Sequence, residues 1–125
     1  MKKKEEERKV IHLAIVGAPP EQKYKDMVFQ WLEENPPNGE LDMIIADTGD
    51  LTLADMVYLD LMWGDKPYYL GAQYIRAKDL QQMRKRITEA ADYILFFFKS
   101  DDVFCRQWIN MAKTEGKHGH VFKIS

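Results

Sequence analysis

Met43-Ile44-Ile45-Ala46-Asp47-Thr48-Gly49-Asp50-Leu51-Thr52-Leu53-Ala54-Asp55 joins an apolar run to a glycine turn and then to a helix start. Apolar strand, glycine and helix, in that order, form the layout of a βα turn that can cradle an anion. The first backbone N–H groups of a helix lack intrahelical partners, point outward and carry the positive end of the helix dipole. A single glycine stands in this turn, and Asp50 is an unfavourable neighbour for a phosphate. The simpler reading is an ordinary βα turn in which Thr52 caps the helix and Asp55 favours its dipole.

The same pattern repeats on either side of this stretch. Val10-Ile11-His12-Leu13-Ala14-Ile15-Val16 reads as a first strand, broken by Gly17-Ala18-Pro19-Pro20. Tyr24, Met27, Val28, Trp31 and Leu32 then recur at helical spacing, with Pro20 in the first turn and Pro36-Pro37-Asn38-Gly39 as the stop. A second strand spans residues 41–46 and a second helix residues 52–63. Lys66-Pro67-Tyr68-Tyr69-Leu70 reads as a short third strand with its proline at the start or on an edge. Leu80, Met83, Ile87 and Ala91 mark a third helix. Residues 92–98 form a fourth strand, apolar without alternation, as expected when both faces are covered. Asp101-Asp102 opens a fourth helix carrying Val103, Trp108, Met111 and Ala112, and Gly116 stops it. Val121-Phe122-Lys123-Ile124 is a fifth strand.

Strands alternating with helices predict one α/β domain over residues 10–125, a doubly wound, mainly parallel five-stranded sheet of Rossmann-like kind. Residues 1–9 read as a charged tail, with no apolar segment that would make them a signal peptide. Such sheets bind ligands beyond the carboxyl ends of their strands, where strand order reverses. Three turns should converge there. They supply the candidate contacts Gly17 and Ala18; Gly49, Asp50, Leu51, Thr52 and Asp55; and Lys99 and Ser100. Arg76, Lys78, Arg84, Lys85 and Arg86 form the chain's one basic cluster, either a solvated helix face or, through Arg84, an anion-binding rim.

The 125 residues carry a net charge of −2, so no general attraction to nucleic acid or anionic membrane is expected. No apolar run approaches the roughly 20 residues that span a bilayer. Cys105 is the only cysteine, which excludes an internal disulfide and a cysteine-rich zinc site; a reducing cytoplasm is the simplest expectation. His118 and His120 could begin a metal site, but no third ligand is evident, and neither metal nor cofactor is expected.

In order and spacing the chain resembles the SLOG group of Rossmann-like nucleotide-binding proteins, especially its small stand-alone members. After their second strand these carry Gly-Gly-x-x-Gly-Ala-Asp. Gly49 takes the first glycine and Ala54-Asp55 the final pair, while Asp50 and Leu53 replace the other glycines. A later block, Arg-Asn-x-x-Met-x-x-x-Ala-Asp followed by an apolar strand, falls on Met83-Arg84, Ile87, Ala91-Asp92 and the strand to Phe98. The Gly-Thr of the family's last turn falls on Phe104-Cys105, and Ala112 matches again.

The resemblance implies a nucleotide-like small-molecule partner and dimers as a common assembly. Related base-releasing enzymes resemble the chain less where their chemistry lies. The glycine-rich turn of cytokinin-activating phosphoribohydrolases meets Lys99-Ser100-Asp101-Asp102-Val103-Phe104, and the glutamate of nucleoside deoxyribosyltransferases meets Trp108. Asp101 or Asp102 could still serve as nucleophile or base, although capping the fourth helix is the simpler role. Three readings follow: a small-molecule sensor or sequestering module, an N-glycosidic hydrolase or transferase, and a protein-interaction domain with a decayed pocket. The lost glycines and glutamate favour the first and third.

Overall fold

The structure is a computed structural model that describes residues 9–99 and 101–124. Strands and helices alternate along it: β1 (Lys9–Val16), α1 (Gln22–Glu34), β2 (Gly39–Ala46), α2 (Leu53–Trp63), β3 (Tyr69–Ile75), α3 (Leu80–Ala90), β4 (Tyr93–Lys99), α4 (Val103–Thr114) and β5 (His118–Ile124). The five strands form one all-parallel sheet in the order β3-β2-β1-β4-β5. The chain therefore winds outward from β1 to β3, crosses back and winds outward again through β4 and β5. The reversal falls between β1 and β4, which pair from Leu13↔Tyr93 to Val16↔Phe96. This is the doubly wound, Rossmann-like arrangement expected from the sequence.

Period-two alternation splits the buried side chains into two layers. Leu13, Ile15, Met43, Ile45, Leu95 and Phe97 meet Tyr24, Val28 and Leu32 of α1 and Leu53, Val57 and Leu61 of α2. Ala14, Ile44, Ile94 and Phe96 meet Ile87 of α3 and Cys105 and Ala112 of α4. With helices over both faces, the central strands need apolar side chains at successive positions, which explains the unbroken runs in β2 and β4. Asp42 is a buried polar exception on β2. Its carboxylate accepts from Gln73 Nε2 at 2.6 Å and lies 2.9 Å from His12 Nδ1, so it has partners.

Several boundaries differ from the sequence reading. β3 runs from Tyr69 to Ile75, not from Lys66 to Leu70, with Tyr69 opposite Glu40 and Ile75 opposite Ala46. Gly71-Ala72-Gln73 has little β-propensity, so pairing with β2, not local preference, sets this strand. β5 begins at His118, three residues earlier than expected. Gly119 permits it, because a Cβ there would stand 3.2 Å from Ile94 O and 3.4 Å from the Phe96 ring. Pro20 precedes α1 and is not in its first turn; Glu21 is the N-cap. Ala91 is the C-cap of α3, and its N–H donates to Ile87 O. Asp92 precedes β4, its carboxylate accepting from His12 N–H at 3.1 Å. β1 starts at Lys9, one residue before the expected domain start; the rest of the charged tail lies outside the described residues.

Candidate functional site

A cleft of about 310 Å³ opens at the carboxyl ends of β1 and β2, on the side covered by α3 and α4. Ile15, Val16, Gly17 and Ala18 reach it from β1 and the turn behind it. Ala46 ends β2 and Thr48 follows it, and Thr52 and Leu53 come from the start of α2. Leu80, Met83, Arg84 and Ile87 come from α3; Asp102, Phe104, Cys105 and Trp108 come from α4 and its cap. Residues distant in sequence thus meet at the β1/β4 reversal, where an open α/β sheet leaves a crevice.

The turn after β1 is fixed by close packing. Gly17 has φ +96°, and a Cβ on it would stand 2.2 Å from Phe97 O of β4. The turn after β2 is bound internally. Thr48 Oγ1 accepts from Asp50 N–H at 3.2 Å and donates to Asp50 O at 3.3 Å. Gly49 has φ +86° and faces open space, with nothing within 4 Å of an added Cβ.

The starts of α2 and α4, which both reach the cleft, are capped by their own carboxylates. In α2, Asp55 Oδ2 accepts from Thr52 N–H at 2.9 Å and from Thr52 Oγ1 at 2.8 Å, while Asp55 N–H donates to Thr52 Oγ1 at 3.1 Å. This is a reciprocal capping box. Tyr74 adds a fourth bond, its hydroxyl donating to Asp55 Oδ1 at 3.2 Å. Partial burial, then the Asp55 charge, raise the Tyr74 pKa and keep that donor protonated. In α4, Asp102 Oδ1 accepts from Cys105 N–H at 3.0 Å.

The wall made by α3 and α4 is apolar and aromatic. Trp108 packs edge-on against Phe96, and its indole N–H donates to the fully buried Thr88 Oγ1 at 2.8 Å. Thr88 in turn donates to Arg84 O at 2.7 Å. The Arg84 guanidinium lies 5.1 Å from the Phe104 ring centre and 5.8 Å from that of Trp108. Cation–π attraction of about 0.5–1 kcal/mol for partly exposed pairs holds it there. Among the described residues, no carboxylate pairs with Arg84. The rest of the basic cluster lies outside the cleft: Arg76 bonds Asp47 at 2.9 Å, and Arg86 donates to Arg76 O at 2.6 Å.

Of the sequence candidates, Gly17, Ala18, Thr52, Arg84 and Asp102 line the cleft. Gly49, Asp50, Leu51, Asp55, Lys99 and Asp101 do not line it, and Ser100 lies outside the described residues. Asp102 takes the capping role that its position suggested. The sequence reading missed Thr48, Met83, Phe104 and Trp108 as walls of the site. A signal existed for two of them: Phe104 and Trp108 stand where the resembled families place a glycine and a glutamate. Among the described residues, no three His, Cys, Asp or Glu side chains converge as a metal site, and no helix is long and apolar enough to cross a membrane.

Cys105 lines the cleft but is a poor nucleophile. Burial, reinforced by the Asp102 charge and opposed by Arg84, pushes its thiol up to about 11. At pH 8 such a thiol is about 0.1% thiolate, against roughly a quarter for an ordinary cysteine. Iodoacetamide at pH 8 is therefore expected to alkylate native Cys105 at least a hundredfold more slowly than the unfolded chain. A native rate within tenfold of the unfolded rate, followed by mass spectrometry, would contradict this environment. Comparison of the chain with protein-family models, with curated proteins and with solved structures finds no match.

Proposed function

We propose that the protein binds a nucleotide-derived small molecule in the cleft at the β1/β4 reversal, holding it as a sensor or sequestering module without transforming it. The cleft itself carries this reading: it gathers residues from β1, the β2 turn, α2, α3 and α4 at the place where sheets of this winding bind ligands. Its volume is at the lower end of the roughly 300–1,000 Å³ typical of small-molecule sites. Apolar and aromatic walls with few polar groups suit a heterocyclic ring.

The non-catalytic part of the proposal rests on the carboxylates. Asp102, the acid in the cleft lining, is engaged in capping α4. Asp101 is exposed and outside the lining. Trp108 fills the position that would carry a glutamate in the enzymes the chain resembles.

A thermal-shift screen of nucleobases, nucleosides, nucleotides, cyclic nucleotides and ADP-ribose derivatives tests the reading. A ligand present at a hundred times its Kd should add roughly 2.7 kcal/mol to stability. Absence of any shift across the screen at millimolar ligand would count against a small-molecule site. Chromatographic detection of free base released from a bound nucleoside would instead make the protein an enzyme.

A further inference from the structure

We infer that the cleft takes a planar ring bearing one anionic group, a carboxylate or a phosphate monoester, seated on Arg84, and that it does not take a polyphosphate at its helix starts. The inference rests on the small-molecule reading above and concerns which part of such a molecule is recognised, and by what. Its first support is the unused cation. Arg84 projects into the cleft across Phe104 and Trp108, half-buried, and its N–H groups have no acceptor among the described residues. A guanidinium is a planar fork of donors that matches a carboxylate or phosphate edge in two parallel bonds. Two aromatic rings bias its orientation before any ligand arrives, which lowers the freedom to be lost on pairing. Partial removal from water also leaves the charge less solvated than on an open surface, which increases the gain from an incoming anion.

The second support is that each alternative anion site already holds a carboxylate of its own. A diphosphate at a βα turn uses the free N–H groups of the helix start. At α2 the capping box takes the N–H groups of Thr52 and Asp55, and at α4 Asp102 takes that of Cys105, which leaves only the first two N–H groups of each helix for an anion. Each cap also places a carboxylate charge beside its helix start, that of Asp102 within the cleft lining, and like charges in a partly dry crevice repel. The other cations of the basic cluster lie away from the lining, so among the described residues Arg84 is the one cationic side chain there. One fork accommodates one anionic group. Val16, Ala46, Leu53, Met83 and Ile87 leave apolar surface for the ring.

Calorimetric titration with matched probes tests this. Uracil is compared with uracil-6-carboxylate, and adenosine with its 5′-monophosphate and 5′-triphosphate, on the wild-type chain, Arg84→Gln and Arg84→Lys. Circular dichroism and thermal melts confirm that the variants fold. In the wild type, the anionic member of at least one pair should bind tenfold or more tighter than its neutral partner. Which pair shows the gain distinguishes a carboxylate from a phosphate monoester. Arg84→Gln should erase that gain while moving the neutral partner's affinity less than threefold, and Arg84→Lys should keep part of it. The triphosphate should bind no tighter than the monophosphate. An anion preference that survives Arg84→Gln, or a triphosphate that outbinds the monophosphate tenfold, overturns the assignment of Arg84. Neutral probes that bind while their anionic partners bind no better overturn the inference alone. No binding by any probe overturns it together with the small-molecule reading.

Discussion

Gly17→Ala is expected to remove about 2–5 kcal/mol of folding stability, a large share of the roughly 5–15 kcal/mol typical of a domain. Two costs combine. The backbone at Gly17 has φ +96°, outside the range an L side chain adopts readily, and left-handed conformations cost roughly 1–2 kcal/mol for a residue with a Cβ. The added Cβ would also stand 2.2 Å from Phe97 O and 3.2 Å from Phe97 C. Those are backbone atoms of a central strand, so relief requires the β1 turn to withdraw from β4. Forced overpacking of this kind costs about 1–3 kcal/mol.

Gly49→Ala separates the two costs. Gly49 shares a positive φ of +86° but has nothing within 4 Å of an added Cβ. It should lose only the conformational part, about 1–2 kcal/mol. Urea unfolding of both variants at matched m-values gives the comparison. Equal losses would mean that the approach of Gly17 to β4 costs nothing to disturb. Gly17 also lines the cleft, so any surviving Gly17→Ala protein should show altered ligand affinity where Gly49→Ala does not.

This pair also shows where sequence reading reached and where it stopped. The order of elements was legible because β2 and β4 are unbroken apolar runs and the helices keep a 3.6-residue period. The location of the cleft followed from that order, since a βαβ alternation dictates where strand order can reverse. The relative importance of the two glycines did not follow. Gly49 stands out locally beside a helix start, whereas the demand on Gly17 comes from a carbonyl on β4, far away in sequence. The third strand was displaced for a similar reason: Gly71-Ala72-Gln73 becomes a strand by pairing with β2. Thr52 and Asp55 were legible as a cap or as ligand contacts. Their mutual bonds, which only geometry reveals, satisfy the cap. Arg84 was legible as a candidate anion contact within a basic cluster, but its stacking on Phe104 and Trp108 was not, because those rings lie on another helix.

Phe97→Ala should lower stability by a similar amount, about 3–5 kcal/mol, the usual range for deleting a buried ring. Phe97 is fully buried in the layer beneath α1 and α2. Its ring stacks on Phe122 with centres 4.7 Å apart and meets Tyr24 edge-on at 5.5 Å. Both neighbours are rigid aromatics on different elements, so the vacancy cannot close without shifting α1 or β5. For a domain of this size the loss corresponds to a melting point lower by roughly 10–20 °C. Phe104→Ala is the control. That ring is 62% exposed, and its removal should cost about 1 kcal/mol or less, mainly the contact with Arg84. Binding should reverse the order. The cleft opens on the α3 and α4 side, so Phe97→Ala, assayed well below its melting point, should keep its ligand affinity. Phe104→Ala should weaken it several-fold by releasing Arg84. Scanning calorimetry with and without the best ligand reads both effects. A melting-point loss under 5 °C for Phe97→Ala would refute the rigid aromatic layer. Loss of affinity in Phe97→Ala with none in Phe104→Ala would place the binding surface on the other face of the sheet.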